Sequence, residues 1–105
     1  MKMEKWLEIL PDIESILPIA FNHFLECQEL PYSIYIELGS ANFNADNETY
    51  FTDDAIALEL YTEHKDLKLQ RQLEEVFTEH KIIWDRQESI YLQTEKMYMT
   101  VYNLT

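Results

Sequence analysis

The sequence predicts an α+β fold: two helices packed on one face of a mostly antiparallel sheet of four to five strands, in the order α-β-β-β-α-β-β. Three observations carry this. Two stretches space their apolar residues at the helical period, and the segments between and after them alternate with a period of two. The two helical stretches are separated by strand-like segments, which suits antiparallel pairing with both helices on one side. The 105 residues contain one glycine and no linker, repeat or low-complexity tract, so residues 1–105 read as a single domain.

The first helix is read over Met3–Ile16, where positions 3, 6, 10, 13 and 17 form one apolar stripe. Pro11 falls inside the stripe and predicts a kink or break there. Leu17–Phe24 alternates and carries Pro18 near its start, which suits an edge strand; a helix through Phe21–Glu26 is the other reading. Tyr32–Leu38 alternates Ile34, Ile36 and Leu38 against Ser33, Tyr35 and Glu37. Ala55–Thr62 does the same, with Ile56, Leu58 and Leu60 opposite Ala57, Glu59 and Tyr61. Between these two lies Gly39–Asp54, longer than most connections and rich in Asn and Asp, hence a binding or interface loop or a disordered one. Asp66–Lys81 is the clearest helix. Asp66 suits the N-cap, Leu69, Leu73, Val76 and Phe77 form the buried stripe, Arg71 and Glu75 can pair across one turn, and Lys81 suits the negative end. Ile82–Glu88 and Glu95–Tyr102 read as a closing hairpin, with Met97, Met99 and Val101 alternating against Tyr98, Thr100 and Tyr102.

The charge count is lopsided: 20 acidic against 8 basic residues, net −12. Between Trp6 and His64 there are twelve Asp or Glu and not one Lys or Arg, whereas the last 41 residues carry six basic and seven acidic. Such a chain lacks the clustered cations that hold nucleic acid or anionic lipid. At 47% hydrophobic and 13% aromatic it is too apolar for a disordered polyanion. It has no apolar run of membrane-spanning length, and Glu8, Asp12 and Glu14 interrupt the segment that a secretion signal would keep apolar. One cysteine, Cys27, is expected to stay reduced in a cytosol.

No chemistry-bearing constellation stands out. His23, His64 and His80 lack helical metal-site spacing, and Cys27 has no CxxC partner. Cys27 is flanked by Glu26 and Glu29, surroundings that suit a thiolate nucleophile poorly. Asp46-Asn47-Glu48 and Asp53-Asp54 lack the spacing and glycine of a calcium loop and read as solvated turns. There is no phosphate-cradling glycine loop and no G-x-S-x-G elbow. No catalytic residue, metal ligand or cofactor is therefore expected. The tyrosines say more: Tyr35, Tyr61, Tyr98 and Tyr102 share the strand parity opposite the aliphatic residues. They mark either a subunit interface or a partly exposed face of good strand formers.

Five segments carry a family resemblance: Leu17-Pro18-Ile19-Ala20-Phe21-Asn22-His23-Phe24, Pro31-Tyr32-Ser33-Ile34-Tyr35, Asn42-Phe43-Asn44-Ala45-Asp46-Asn47, Leu58-Glu59-Leu60-Tyr61-Thr62-Glu63-His64-Lys65-Asp66 and Glu95-Lys96-Met97-Tyr98. From Leu17 onward the chain resembles the tail terminator or tail-completion proteins of long-tailed bacteriophages and prophages of Gram-positive bacteria. The 11–15 stretch departs from that pattern. The resemblance implies a non-enzymatic virion protein, made in the host cytoplasm and built into the tail or the head–tail neck. It implies a ring, commonly a homo-hexamer, that ends the tail tube and meets both the tail-tube protein and a head-completion or connector protein. Sequence-specific nucleic-acid binding and membrane association are not part of it.

On that reading Tyr35, Tyr61, Tyr98 and Tyr102 are buried between subunits. Asn42, Phe43, Asn44, Asp46, Asn47 and Tyr50 form the assembly loop. Glu37, Asp53, Asp54 and Glu59 line an acidic lumen, or a surface for a basic partner, past which DNA slides without binding. Two alternatives come from other classes. One is an acidic DNA mimic that inhibits a basic partner. The other is a small enzyme, for which the sequence offers no converging polar pocket.

Overall fold

Trp6, Ile9 and Ile13 recur every three or four residues, and they form the buried stripe of helix α1 (Met3–Glu14). Leu69, Leu73 and Phe77 do the same for α2 (Leu67–Glu79). Both helices lie over one face of a six-stranded sheet in the computed structural model, which describes residues 1–40, 44–45, 48–49 and 54–105. The architecture is α+β. The main sheet contains β1 (Ile19–Phe21), β2 (Tyr32–Ser40), β5 (Asp54–Thr62), β6 (Trp84–Arg86), β7 (Ile90–Leu92) and β8 (Met97–Leu104). A separate ribbon pairs β3 (Asn44–Ala45) with β4 (Glu48–Thr49).

The order across the sheet is β1-β2-β5-β8-β6, with β7 also paired to β8. All pairs in it are antiparallel except β1 with β2. One strand more is present than four or five, because Ile90–Leu92, in the connection expected between the strands Ile82–Glu88 and Glu95–Tyr102, is itself a strand. Trp84–Arg86 pairs with one end of β8 and Ile90–Leu92 with the other. The polar step Gln87-Glu88-Ser89 separates them while Gln87 still donates its amide to the Val101 carbonyl (2.8 Å).

Helix α1 runs through Pro11 as one segment, where a kink or break was expected. Proline removes the bond to the Leu7 carbonyl, and both Leu7 and Pro11 are exposed, so water can serve that oxygen. The helix stops at Glu14, short of Ile16, since Pro18 disfavours a helical Leu17. β1 is an edge strand, as its proline suggests, and Ser33 ties it to β2 twice: its amide (2.8 Å) and its hydroxyl (3.0 Å) both donate to the Pro18 carbonyl. Asp66 caps α2 by accepting from the Leu69 amide at 3.1 Å. At the other end Lys81 donates to the Thr78 carbonyl and Ile82 to that of Phe77, the two bonds of a Schellman motif. Buried Ile82 then packs into the same cluster as Phe77.

The facing of the strands departs from the alternation read in the sequence. In β5 the aliphatic parity (Ile56, Leu58, Leu60) does meet the helices. Register places Ser33, Tyr35 and Glu37 of β2 beside those residues, and Tyr98, Thr100, Tyr102 and Leu104 of β8. Ile34, Ile36, Met99 and Val101 therefore lie on the other face. The physical reason is polar satisfaction beneath α2. Tyr102 is fully buried and donates to Glu74 Oε2 at 2.6 Å. Arg86 donates to the same carboxylate (2.8 Å) and to Gln70 Oε1 (3.3 Å). Gln70 Nε2 donates in turn to Thr100 Oγ1 (3.4 Å), which is 2.7 Å from Ser89 Oγ. On the other parity of β8 the positions flanking Tyr102 and Thr100 are Met99 and Val101, which cannot answer Gln70 and Glu74, and the one polar residue, Asn103, lies at the strand's end.

Two outcomes test this account. Lys81 takes the left-handed position of the Schellman motif at φ 58°, a conformation that costs an L-residue about 1–2 kcal/mol. Lys81→Gly is expected to raise stability by about 1 kcal/mol and to move the thermal midpoint up by several degrees. Glu74→Ala leaves buried Tyr102 without its acceptor and Arg86 with Gln70 alone, and is expected to lower stability by about 2–3 kcal/mol in urea unfolding.

Candidate functional site

The face turned away from the helices is the candidate site. Its residues follow from the register: Ile34, Glu59 and Val101 form one cross-strand row, Tyr32, Tyr61, Met99 and Ile90 the next, and Ile36, Ala57 and Asn103 lie on the far side. Met97 and Leu92 extend it at one end, and Asp85 stands beside Asn103 at the margin. The face is thus a band of aliphatic, thioether and aromatic side chains. Among its described residues there is no Lys or Arg.

An aromatic run crosses it. Phe24 meets Tyr32 edge-on at 5.6 Å, and Tyr32 stacks on Tyr61 at 5.0 Å and 20°. The Tyr32 hydroxyl lies 3.8 Å from Met97 Sδ, and the Tyr61 hydroxyl donates to Glu59 Oε1 at 2.7 Å. The segment between β1 and β2 forms one rim, enclosing a groove of about 290 Å³ lined by Phe24, Leu25, Glu26, Cys27, Gln28, Tyr32 and Ile34. Leu25 is 95% exposed on that rim, and Phe21 of the edge strand is 54% exposed. Burial raises the pKa of the Tyr32 and Tyr61 phenols above the ordinary 10.0, and the Glu59 carboxylate adds to the rise at Tyr61.

The residues singled out in the sequence do not gather in one place. Of the four tyrosines read as a shared interface, Tyr61 alone lies on the uncovered face. Tyr102 is in the core against Phe77. Tyr35 packs edge-on to Trp6 at 5.1 Å on the helix side, and Tyr98 meets Tyr91 at the same parity. Glu37 and Glu59 point to opposite faces, since Glu37 pairs with Ile56 and Glu59 with Ile34. Asn42, Phe43, Asp46, Asn47, Tyr50 and Asp53 lie outside the described residues. Asn44 belongs to β3, and Asp54 opens β5 opposite Ser40. The residues missed were Tyr32, Ile34, Ile36, Met97, Met99 and Val101. Their signal was present in part: β8 carries apolar or aromatic side chains on both parities, so its alternation alone does not say which side meets the helices.

Catalytic and metal chemistry find no comparable arrangement. Among the described residues no group of three His, Cys, Asp or Glu is placed to hold a metal ion, and no helix is long and apolar enough to cross a membrane. His23, His64 and Cys27 are exposed, and His80 lies 2.8 Å from Asp12, joining the ends of the helices. An open depression of about 640 Å³ between those ends carries Lys2, Lys5 and Lys81 against Glu4, Glu8 and Glu79. Its charges are matched in kind, and the Lys5 ammonium is held by the Lys81 carbonyl at 3.1 Å.

No family model and no curated protein matches this chain. The face itself therefore carries the argument: an apolar sheet surface of this breadth, with aromatics and methionines and a single central acid, has the composition of a protein–protein contact.

The raised tyrosines give a pH test. A phenol held neutral by the fold contributes stability that is complete below 10.0 and declines as pH rises above it, because the unfolded chain ionises first. Near-ultraviolet phenolate absorbance of Tyr61 and Tyr102 is expected to appear only together with loss of helical circular dichroism. The double variant Tyr61→Phe, Tyr102→Phe should show a flatter stability profile above that pH.

Proposed function

We propose that this protein is a structural subunit that assembles with copies of itself through the uncovered sheet face, and that the assembly is the ring closing the tail tube at the head–tail joint of a long-tailed bacteriophage. The uncovered apolar face is the observation that carries self-assembly. A protomer that leaves three central strands open on one side gains by having that side covered, at roughly 25 cal/mol for each Å² of apolar surface removed from water. The edge strand β1 and the exposed Phe21 and Leu25 supply further contact area at its rim. The phage assignment is supported by the resemblance of five segments from Leu17 onward, and by an acidity that lets a DNA backbone pass without adhering.

The tail-tube protein and a head-completion or connector protein are the partners this role requires. No catalytic group is needed for it. The contacts are expected to involve Tyr61 rather than all four tyrosines, because the other three serve the helix side.

Sedimentation velocity and electron microscopy test the proposal. The expected result is a closed ring, a hexamer on the phage reading, and rings seated at one end of tubes when tail-tube protein is added. Ile34→Glu, placed in the middle of the face, should leave folded monomers. A wild-type chain that stays monomeric at high concentration and caps no tube would overturn the proposal. Salt-sensitive capture of a basic DNA-binding enzyme by such monomers would point instead to the acidic mimic.

A further inference from the structure

The segment between β1 and β2 borders the open sheet face, and the groove it encloses is built from unlike parts. Phe24 and Tyr32 meet at 89° with ring centroids 5.6 Å apart, so the two rings form a corner. Leu25 and Ile34 add aliphatic wall, and Glu26 adds a carboxylate to the same groove of about 290 Å³. Tyr32 is held in place there. Tyr61 stacks on it at 5.0 Å, and the Tyr61 hydroxyl is fixed in turn by Glu59 Oε1 at 2.7 Å. An occupant of this corner therefore meets a ring that has little side-chain freedom left to lose.

The charges that bear on the corner are acidic. Residues 22–31 contain Glu26 and Glu29 and no Lys or Arg, and His23 lines a neighbouring hollow. Burial raises the pKa of the Tyr32 and Tyr61 phenols, Glu95 adds to the rise at both, and Glu59 adds to it at Tyr61. No Lys or Arg among the described residues, Lys96 included, works against them, as Arg86 does at Tyr102. The groove thus joins aromatic rings and aliphatic wall to a negative potential that nothing nearby offsets.

One side chain answers all three properties. Arginine has an aliphatic stem that can lie along Leu25 and Ile34, and a planar, weakly hydrated guanidinium that stacks on rings and donates to a carboxylate. Lysine lacks the plane and holds its water more tightly. Another copy of the chain is a poor donor. Of its two arginines, Arg86 is held by Glu74 and Gln70, and Arg71 stands one turn before Glu75 on α2. We infer that the groove between Phe24 and Tyr32 receives an arginine side chain from the basic surface of a partner protein, with the guanidinium against the two rings and Glu26. This goes beyond self-assembly. It gives the rim of the sheet face a partner of opposite charge, toward which a chain of net −12 is steered.

Photo-cross-linking reads the site whether the chain is assembled or not. The probe is a blocked tetrapeptide with one arginine beside a photoleucine. Its control replaces arginine with citrulline, which keeps the shape and removes the charge. Mass spectrometry is expected to place the adducts within residues 21–34, with the citrulline peptide about threefold weaker or more. Glu26→Gln and Tyr32→Leu are each expected to reduce labelling by about threefold. Glu26 is exposed, so its variant tests the charge without touching the core. Glu14→Gln, among the acids of α1, should leave labelling unchanged. Adducts spread over the acids of α1, or equal labelling by the two peptides, would overturn the inference. Either result leaves self-assembly standing, because no reading here requires association. A chain that stays monomeric yet labels as expected would overturn self-assembly alone.

Discussion

A sheet has two faces, and the two helices of this chain cover one. That constraint organises the molecule. Trp6, Ile9 and Ile13 from α1, with Leu69, Leu73 and Phe77 from α2, seal Ile56, Leu58, Leu60, Tyr102 and Leu104 from water. The capped ends of α2 set where that layer begins and stops: Asp66 starts the helix, and the Schellman turn at Lys81 sends Ile82 back under it and on to β6. With no third helix among the described residues, β2, β5 and β8 keep a largely apolar surface on their other side, the surface through which we propose that the protein assembles.

Which face the helices take was decided by polar atoms more than by apolar area. Either parity of β8 could fill space under α2. The parity with Thr100 and Tyr102 also answers Gln70 and Glu74, through bonds of 3.4 Å and 2.6 Å. Desolvating two polar side chains on α2 without acceptors or donors would cost more than exchanging one set of apolar contacts for another. The same logic holds in β2, where the Ser33 hydroxyl secures the edge strand and Tyr35 fills the space beside Trp6. Trp6 itself is an exception. Its indole nitrogen is buried with no partner among the described residues, so its packing has to outweigh an unanswered donor.

This explains how much could be read from the sequence. Both helices were legible because their stripes have one unambiguous period, and Asp66 declared its cap. The edge position of β1 was legible because Pro18 cannot donate to a ladder. Strand facing in β2 and β8 was not, because the usual rule assigns aliphatics to the core and tyrosines to the surface. Here β8 carries apolar or aromatic side chains on both parities, and the choice turns on Gln70 and Glu74, 28 or more residues away from Ser33 and from Tyr102 in sequence. The shared tyrosine face dissolved for that reason: Tyr35, Tyr98 and Tyr102 joined the helix side, and Tyr61 was left with Tyr32 and Met99. The split of the closing hairpin was hidden too, since Gln87-Glu88-Ser89 reads equally well as a polar strand or as a step between two strands.

The charge imbalance acquires a location through the same geometry. A net −12 spread evenly would make every surface repel every other, and a self-assembling protomer would work against its own field. The cations are instead concentrated after His64, and Lys65, Lys68 and Arg71 fall together around the start of α2. The acids of α1 and the open sheet face lie elsewhere. In an otherwise apolar contact a single charge adds little affinity, yet it excludes the wrong pairing strongly, because an unanswered acid in a dry interface is penalised far more than a matched one is rewarded. Glu59 is placed to do this sorting: central, half-buried, and held by Tyr61 in a fixed orientation.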